Sequence, residues 1–262
     1  MKRMGIDFHN QQHRTSYTTR QADSSWKAAL AKHIPFHSMG KAVDIGCGGG
    51  IYAKALVDMG VASVTGVDFS LAMLDGAKEN CRAYPQITFV QGNAFNTGLA
   101  GDTFDIVLER ALIHHIQDVK ACFQEAFRLL QQGGYFIVQD RTPEDCLLPG
   151  DAHHIRGYFF ESFPSLIQKE VERRHTSQLV AESLQEVGFQ EISELKLWET
   201  RQVYANKEQL LADLQGRVGR SLLHELNDNQ LSTLLEDIRN AITTEGSIME
   251  KDRWTIWIAK KK

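Results

Sequence analysis

The residues whose types and spacing suit chemistry stand where the apolar runs of this sequence break. The first break is Val43-Asp44-Ile45-Gly46-Cys47-Gly48-Gly49-Gly50, a short apolar run carrying one acid that ends in a glycine cluster. A helical pattern follows at once, with Ile51, Ala55, Leu56 and Met59 on one face and Gly60 at the end. Strand, tight turn and helix start together lay a nucleotide-shaped ligand against backbone, because glycine admits positive φ and close approach and a helix start presents unpaired N–H groups. Asp68 follows about 20 residues past the glycines, the spacing at which a carboxylate accepts bonds from a ribose diol. Asn93, Glu109-Arg110, His114-His115 and Asp140-Arg141 stand at or beyond the ends of later apolar runs. Two features separate the possible nucleotides. A dinucleotide fingerprint needs a third small residue for helix–strand packing where this chain has Ile51. Asp44 also puts a negative charge under the loop, which repels a pyrophosphate and welcomes an ammonium group.

Such residues need a scaffold that carries several chain breaks to one edge, and residues 41–140 supply it by alternating strand and helix patterns. Strands are expected at Lys41 to Ile45, Ser63 to Phe69, Ile87 to Gln91, Phe104 to Leu108 and Tyr135 to Val138. Between them, Ser70 caps a helix with Leu71, Met73, Leu74 and Ala77 on its apolar face. Asp118 caps another with the stripe Val119, Cys122, Phe123, Ala126, Phe127 and Leu130, stopped by Gly133-Gly134. Alternating βαβ units imply a parallel sheet covered by helices on both faces. Residues 1–40 read as an N-terminal lid segment, with a helix from about Ser24 to Pro35. Residues 141–175 break the rhythm with three of the five prolines. They read as a loop with one or two short helices. A helix from Thr176 to Gly188 and a long strand from Phe189 to Val203 follow. Residues 204–246 are a second, leucine-rich helical insertion before a final strand, Arg253 to Ala259. The whole reads as one domain over 1–262. It is an α/β, doubly wound, mostly parallel seven-stranded sheet (Rossmann-like) with helical cap insertions and an antiparallel last strand.

Composition removes several classes. Hydrophobic residues make up 42% and charged residues 24% of the 262, ordinary for a globular chain. No apolar run approaches the roughly 18 residues that span a bilayer. A net charge of -4 gives no electrostatic footprint for nucleic acid. Cys47, Cys81, Cys122 and Cys146 form no C-x-x-C pair and read as reduced thiols in a cytoplasmic protein, with no metal site expected.

Taken in order, Val43 to Gly50, Gly66-Val-Asp68-Phe-Ser70-x-x-Met73-Leu74-x-x-Ala77, Gly92-Asn93-Ala94, Phe104-Asp-Ile-Val107 and Leu129 to Gly134 resemble the motifs of class I S-adenosylmethionine-dependent methyltransferases. The style is similar to the small-molecule branch of quinone-biosynthesis and trans-aconitate-type enzymes. The resemblance implies S-adenosylmethionine as cofactor and a small-molecule methyl acceptor, in a monomer or homodimer. It implies that Gly46, Cys47 and Gly48 lie against the methionine part and that Asp44 helps hold its ammonium. By the same resemblance Asp68 takes the ribose hydroxyls and Phe69 and Met73 flank the adenine. Asn93 stands, with Ala94, where the family usually has Asp accepting from the adenine amino group, and its amide oxygen is expected to accept that bond. Arg110 borders cofactor and substrate, and Arg20, with Tyr17, belongs to the lid and pairs the cofactor carboxylate.

His114 and His115 are the catalytic candidates by position; the alternative is one packed and one structural histidine. Glu109 reads as a site acid or as a buried partner of Arg110 or a lysine, and Asp140-Arg141 as substrate contacts or a loop ion pair. The run Tyr158-Phe159-Phe160 with Phe163 reads equally as a substrate wall or helix core. The Asn/Asp-Pro-Pro-aromatic pattern of amino-methylating enzymes on nucleic acid or protein is missing after the fourth strand, where the chain has Glu109-Arg-Ala-Leu112. Two rivals remain at this point: a non-catalytic cofactor-binding protein, and a nicotinamide-dependent oxidoreductase.

Overall fold

The computed structural model describes residues 21–217 and 219–262. Its strands are β1 (Lys41–Ile45), β2 (Ser63–Asp68), β3 (Ile87–Gln91), β4 (Phe104–Arg110), β5 (Leu130–Asp140), β6 (Gln190–Tyr204) and β7 (Ile248–Lys260). They form one sheet in the order β3-β2-β1-β4-β5-β7-β6. The pairs β1–β2, β1–β4, β2–β3 and β4–β5 are parallel, and β7 runs antiparallel to β5. The chain winds one way from β1 to β3 and the other way from β4 onward, so the topology switches between β1 and β4, where a doubly wound sheet opens a crevice beyond its strand ends.

Local chemistry accounts for the helices that flank the sheet. These are α1 (Ser24–Leu30), α2 (Ile51–Asp58), α3 (Leu71–Asn80), α4 (Val119–Leu129) and α8 (Ser177–Val187). Ser70 caps α3 by accepting from Met73 N–H, Asp118 caps α4 from Ala121 N–H, and Thr176 caps α8 from Leu179 N–H. Gly188, at φ 110, ends α8 in the left-handed conformation. Side chains of successive strand residues go to opposite faces. Val107 therefore joins a core with Phe123, Phe136, Val180 and Trp257, while Ile106 and Leu108 join another with Trp26, Leu30, Leu56 and Ile256.

The chain divides into two compact units. Residues 21–140, 176–197 and 255–262 belong to the unit with these two cores. Residues 141–175 and 198–254 belong to the second. Its helices are α5 (Pro143–Cys146), α6 (Ile155–Ser162), α7 (Ser165–Val171), α9 (Lys207–Gln215) and α10 (Asp228–Ala241). Phe159 and Phe160 are buried there with Leu210, Leu214, Leu234 and Ile238, and Tyr158 and Phe163 pack against them. The aromatic run is helix core.

Several boundaries differ from those expected. β4 continues to Arg110 and β5 begins at Leu130, because Arg110 pairs with Gln139 and the backbone ladder carries polar residues as readily as apolar ones. Gly133-Gly134 lies inside β5 rather than ending α4, which stops at Leu129. Residues 141–175 hold three helices, not one or two, and β7 begins five residues before Arg253. Among the described residues no helix is long and apolar enough to cross a membrane.

Phe123 is fully buried and meets Phe136 edge-to-face at 5.2 Å. Phe123→Ala is expected to cost about 3–5 kcal/mol in chemical denaturation, the usual range for a phenylalanine cavity. A loss below about 1 kcal/mol contradicts this packing.

Candidate active site

The glycine loop is bound down to its neighbouring strand. Gly46 N–H and Cys47 N–H both donate to Val67 O, at 2.8 and 3.0 Å. Gly48 N–H donates to Asp68 Oδ2 at 3.0 Å, and Gly50 N–H to Cys47 O at 2.9 Å. Gly48 takes φ +50, and a Cβ built there meets only the Met73 methyl, at 3.6 Å. Gly50, at φ +75, has no such room, since a Cβ would lie 2.7 Å from Cys81 Sγ. The loop is thus stiff on its inner side and open at Gly48. Its first three N–H groups are satisfied internally, so they do not form a phosphate cradle.

Asp68 is held by two backbone donors, Gly48 N–H on Oδ2 and Ser70 N–H on Oδ1 at 2.9 Å. A carboxylate oxygen accepts more than one bond, so the group keeps acceptor capacity. Asp44 is buried one strand away, and its Oδ2 has no hydrogen-bond partner among the described residues. Burial, then repulsion by Asp68, push its carboxyl up to about 7, against the opposing pull of Arg110. Arg110 ends β4 with its guanidinium 4.1 Å over the Tyr52 ring and its Nε–H on Gln139 Oε1 at 3.2 Å. Glu109 is fully buried and corrects the expected pairing with Arg110 or a lysine. Its Oε1 accepts from Cys122 Sγ at 3.2 Å, its Oε2 has no hydrogen-bond partner among the described residues, and burial pushes it up to about 8.

The two histidines separate in role. His114 and His115 lie on a short 3-10 turn, Ile113–His115, with ring centroids 4.0 Å apart. His114 Nδ1 is 2.8 Å from Asp140 Oδ2, and His114 N–H donates to the same oxygen at 3.2 Å. Asp140 is buried at the end of β5, so one carboxylate fixes both the turn and the ring. A carboxylate accepts, so Nδ1 carries the proton and Nε2 presents a lone pair in the neutral ring. His115 is exposed. Asp140 is therefore a histidine partner, while Arg141 forms an ion pair, Nη1 to Asp252 Oδ1 at 3.2 Å.

The remaining expected residues fall in different places. Met73 is buried against Gly48, Phe69 is about half exposed, and Ala94 is in the core. Asn93 corrects its expected use. Its Oδ1 accepts from Phe95 N–H and Asn96 N–H at 2.9 and 3.0 Å, which occupies both lone pairs in a turn and turns the amide NH2 elsewhere. Arg20, with Tyr17, lies outside the described residues. His153 and His154 use Nδ1 on Met249 O and Pro149 O. Sequence reasoning missed Tyr52, Gln139 and the second function of Trp26 (its Nε1–H donates to Gln139 Oε1 at 2.7 Å). The signal available for Gln139 was one amide following an apolar strand.

Asp44 and Glu109 both hold protons near neutrality that the unfolded chain releases at about 3.8 and 4.5. Their contribution to stability is full below those values and is lost as pH rises through about 7 and about 8. Glu109→Gln removes one of the two groups. Unfolding free energy of the parent protein is expected to fall by a few kcal/mol between about pH 5 and about pH 9, and that of the variant to fall less. Equal declines contradict the burial of Glu109 with only the Cys122 thiol on its carboxyl among the described residues.

The family profile described as a methyltransferase domain matches residues 43–138. A demethylmenaquinone methyltransferase of Lysinibacillus sphaericus is 29% identical over 141 residues, 53% of this chain and 59% of that protein. The chain spans about half the length of the curated relatives it matches. Among solved structures, a candidate methyltransferase from an antibiotic biosynthesis pathway of Anabaena variabilis superposes with a TM-score of 0.68 at 20% identity, covering 91% of this chain and 98% of that one. A Haemonchus contortus phosphoethanolamine N-methyltransferase in complex with S-adenosyl-L-methionine superposes with a TM-score of 0.58 at 20% identity, covering 98% of this chain and 60% of that one. These likenesses carry the fold. With the profile match over the loop, Asp68 and β4, they show that residues 43–138 resemble a methyltransferase domain within a Rossmann-like fold.

Proposed function

We propose that this chain transfers a methyl group from S-adenosylmethionine to an oxygen, nitrogen or carbon of a small molecule, with His114 as the base. The observation that carries the reading is the row of strand ends. β2, β1, β4 and β5 are consecutive in the sheet, and they end at Asp68, the glycine loop, Arg110 and Asp140. The residues present fit the cofactor. Asp44 offers a buried carboxyl with an unpartnered oxygen for an ammonium group, and Gly48 leaves open space beside the loop. Asp68 is pre-oriented by two N–H donors to accept from a ribose diol. Phe69, exposed at the start of α3, offers a face to the adenine. The internal bonding of the loop N–H groups disfavours the pyrophosphate of a nicotinamide dinucleotide.

When bound, S-adenosylmethionine supplies an electrophilic methyl group. The protein aligns the acceptor with it, excludes water and manages one proton. His114 Nε2 takes that proton from the acceptor while Asp140 holds Nδ1–H and stabilises the imidazolium that results. A carboxylate-backed histidine suits acceptors that give up a proton on methylation, such as hydroxyls, carbon acids and ammonium groups. The curated relatives include proteins named for a quinone and for phosphoethanolamine, both small molecules. In this reading the second, helical unit carries acceptor specificity. The chain works in the cytoplasm with its cysteines reduced, without nucleic acid, as a monomer or homodimer.

Calorimetry is expected to find S-adenosylhomocysteine bound with a Kd of about 1 μM, weakened about tenfold in Asp68→Ala. Absence of binding at millimolar ligand sinks the proposal. With an acceptor in hand, Asp140→Asn is expected to lower kcat by about 10²–10⁴-fold with S-adenosylhomocysteine affinity unchanged. Unchanged kcat removes His114 as base, and loss of turnover together with cofactor affinity makes Asp140 structural only.

A further inference from the structure

Gln139 is fully buried at the end of β5, a polar side chain next to the apolar run of that strand. Burying an amide is costly unless its hydrogen bonds are made. Its Oε1 accepts both Trp26 Nε1–H at 2.7 Å and Arg110 Nε–H at 3.2 Å, and two donors on one oxygen fix which way the amide lies. The two donors meet again at Tyr52. Trp26 stands edge-on to its ring at 4.9 Å, and the Arg110 guanidinium lies over it at 4.1 Å. Residues from α1, α2, β4 and β5 thus meet around the Gln139 amide and the Tyr52 ring.

A guanidinium held at Nε and covered on one face has a fixed plane, and a fork with a fixed plane recognises a planar two-oxygen anion. Arg110 also acts electrostatically on Asp44. β1 and β4 are paired, Ile45 opposite Glu109, so this cation and the buried acid stand at adjacent strand ends. An acid and an arginine so placed complement the two charges of an amino-acid zwitterion, Asp44 for the ammonium and Arg110 for the carboxylate.

We propose that Gln139 is a positioning residue that sets the Arg110 guanidinium for the carboxylate at the amino-acid end of the cofactor and, through Trp26, makes that setting depend on the docking of α1. This rests on the cofactor reading above. It moves the carboxylate from Arg20, where the family resemblance put it, to a residue held inside the sheet unit.

Two ligands test it by calorimetry. S-adenosylhomocysteine carries the amino-acid end, and 5′-methylthioadenosine lacks it. Gln139→Leu keeps the size of the side chain and removes the acceptor. Affinity for S-adenosylhomocysteine is expected to fall about tenfold in this variant, with 5′-methylthioadenosine held within about twofold. Trp26→Phe keeps an aromatic ring and removes one donor. It is expected to weaken S-adenosylhomocysteine about threefold with the same selectivity, and it decides the matter if Gln139→Leu does not fold. Equal weakening of both ligands overturns the proposal in favour of a general structural role, and unchanged binding of both overturns it outright. Failure of the parent protein to bind either ligand overturns the cofactor reading and this assignment together.

Discussion

The bond from Gly48 N–H to Asp68 Oδ2, with those from Gly46 and Cys47 to Val67 O, is the constraint on which the rest of the site depends. It folds a glycine turn back onto the neighbouring strand and satisfies backbone donors that a phosphate would otherwise take. Whatever binds beside this loop is therefore selected by side chains at the strand ends more than by loop N–H groups. The same bond, with the one from Ser70 N–H, fixes the orientation of the Asp68 carboxylate before anything binds there. Glycine at position 48 is required twice, for its positive φ and for the space that a ligand would fill.

Charge at the strand ends is arranged in two contrasting ways. Two acids on adjacent strands, Asp44 and Glu109, are buried nearly to the same degree and are both held protonated near neutrality, yet their surroundings differ. Glu109 faces the core beside Cys122 and is a standing cost to stability at high pH. Asp44 lies in the fields of Asp68 and Arg110, where a ligand cation would draw it into the ionised form. Asp140 shows the opposite design. Its carboxylate is engaged by the His114 ring and backbone, which fixes the proton on Nδ1 and the lone pair on Nε2.

Much of this was legible in the sequence because it is carried by local signals. The glycine cluster, Asp68 and the helix caps Ser70 and Asp118 follow from backbone chemistry within a few residues, and the alternation of strand and helix patterns yields the sheet. What was not legible depends on contacts between elements distant in the chain. Trp26 and Gln139 are 113 residues apart. His114 and Asp140 are 26 apart and meet because β4 and β5 are neighbours. The same limit explains Glu109, whose partner proved to be a thiol on the helix packed above it, and Asn93, whose oxygen is consumed by its own turn. Strand lengths were underestimated where polar residues continue a paired backbone, as at Glu109-Arg110 and Gln139-Asp140.

The central claim is that these strand ends move a methyl group from a sulfonium cofactor to a small molecule. Incubating the purified chain with methyl-labelled S-adenosylmethionine and a protein-free metabolite extract tests it most directly. The account predicts that label appears in a low-molecular-weight product in step with S-adenosylhomocysteine, and that Asp68→Ala abolishes both. Binding of the cofactor with no labelled product from any extract would contradict it and leave a cofactor-binding protein without transfer activity.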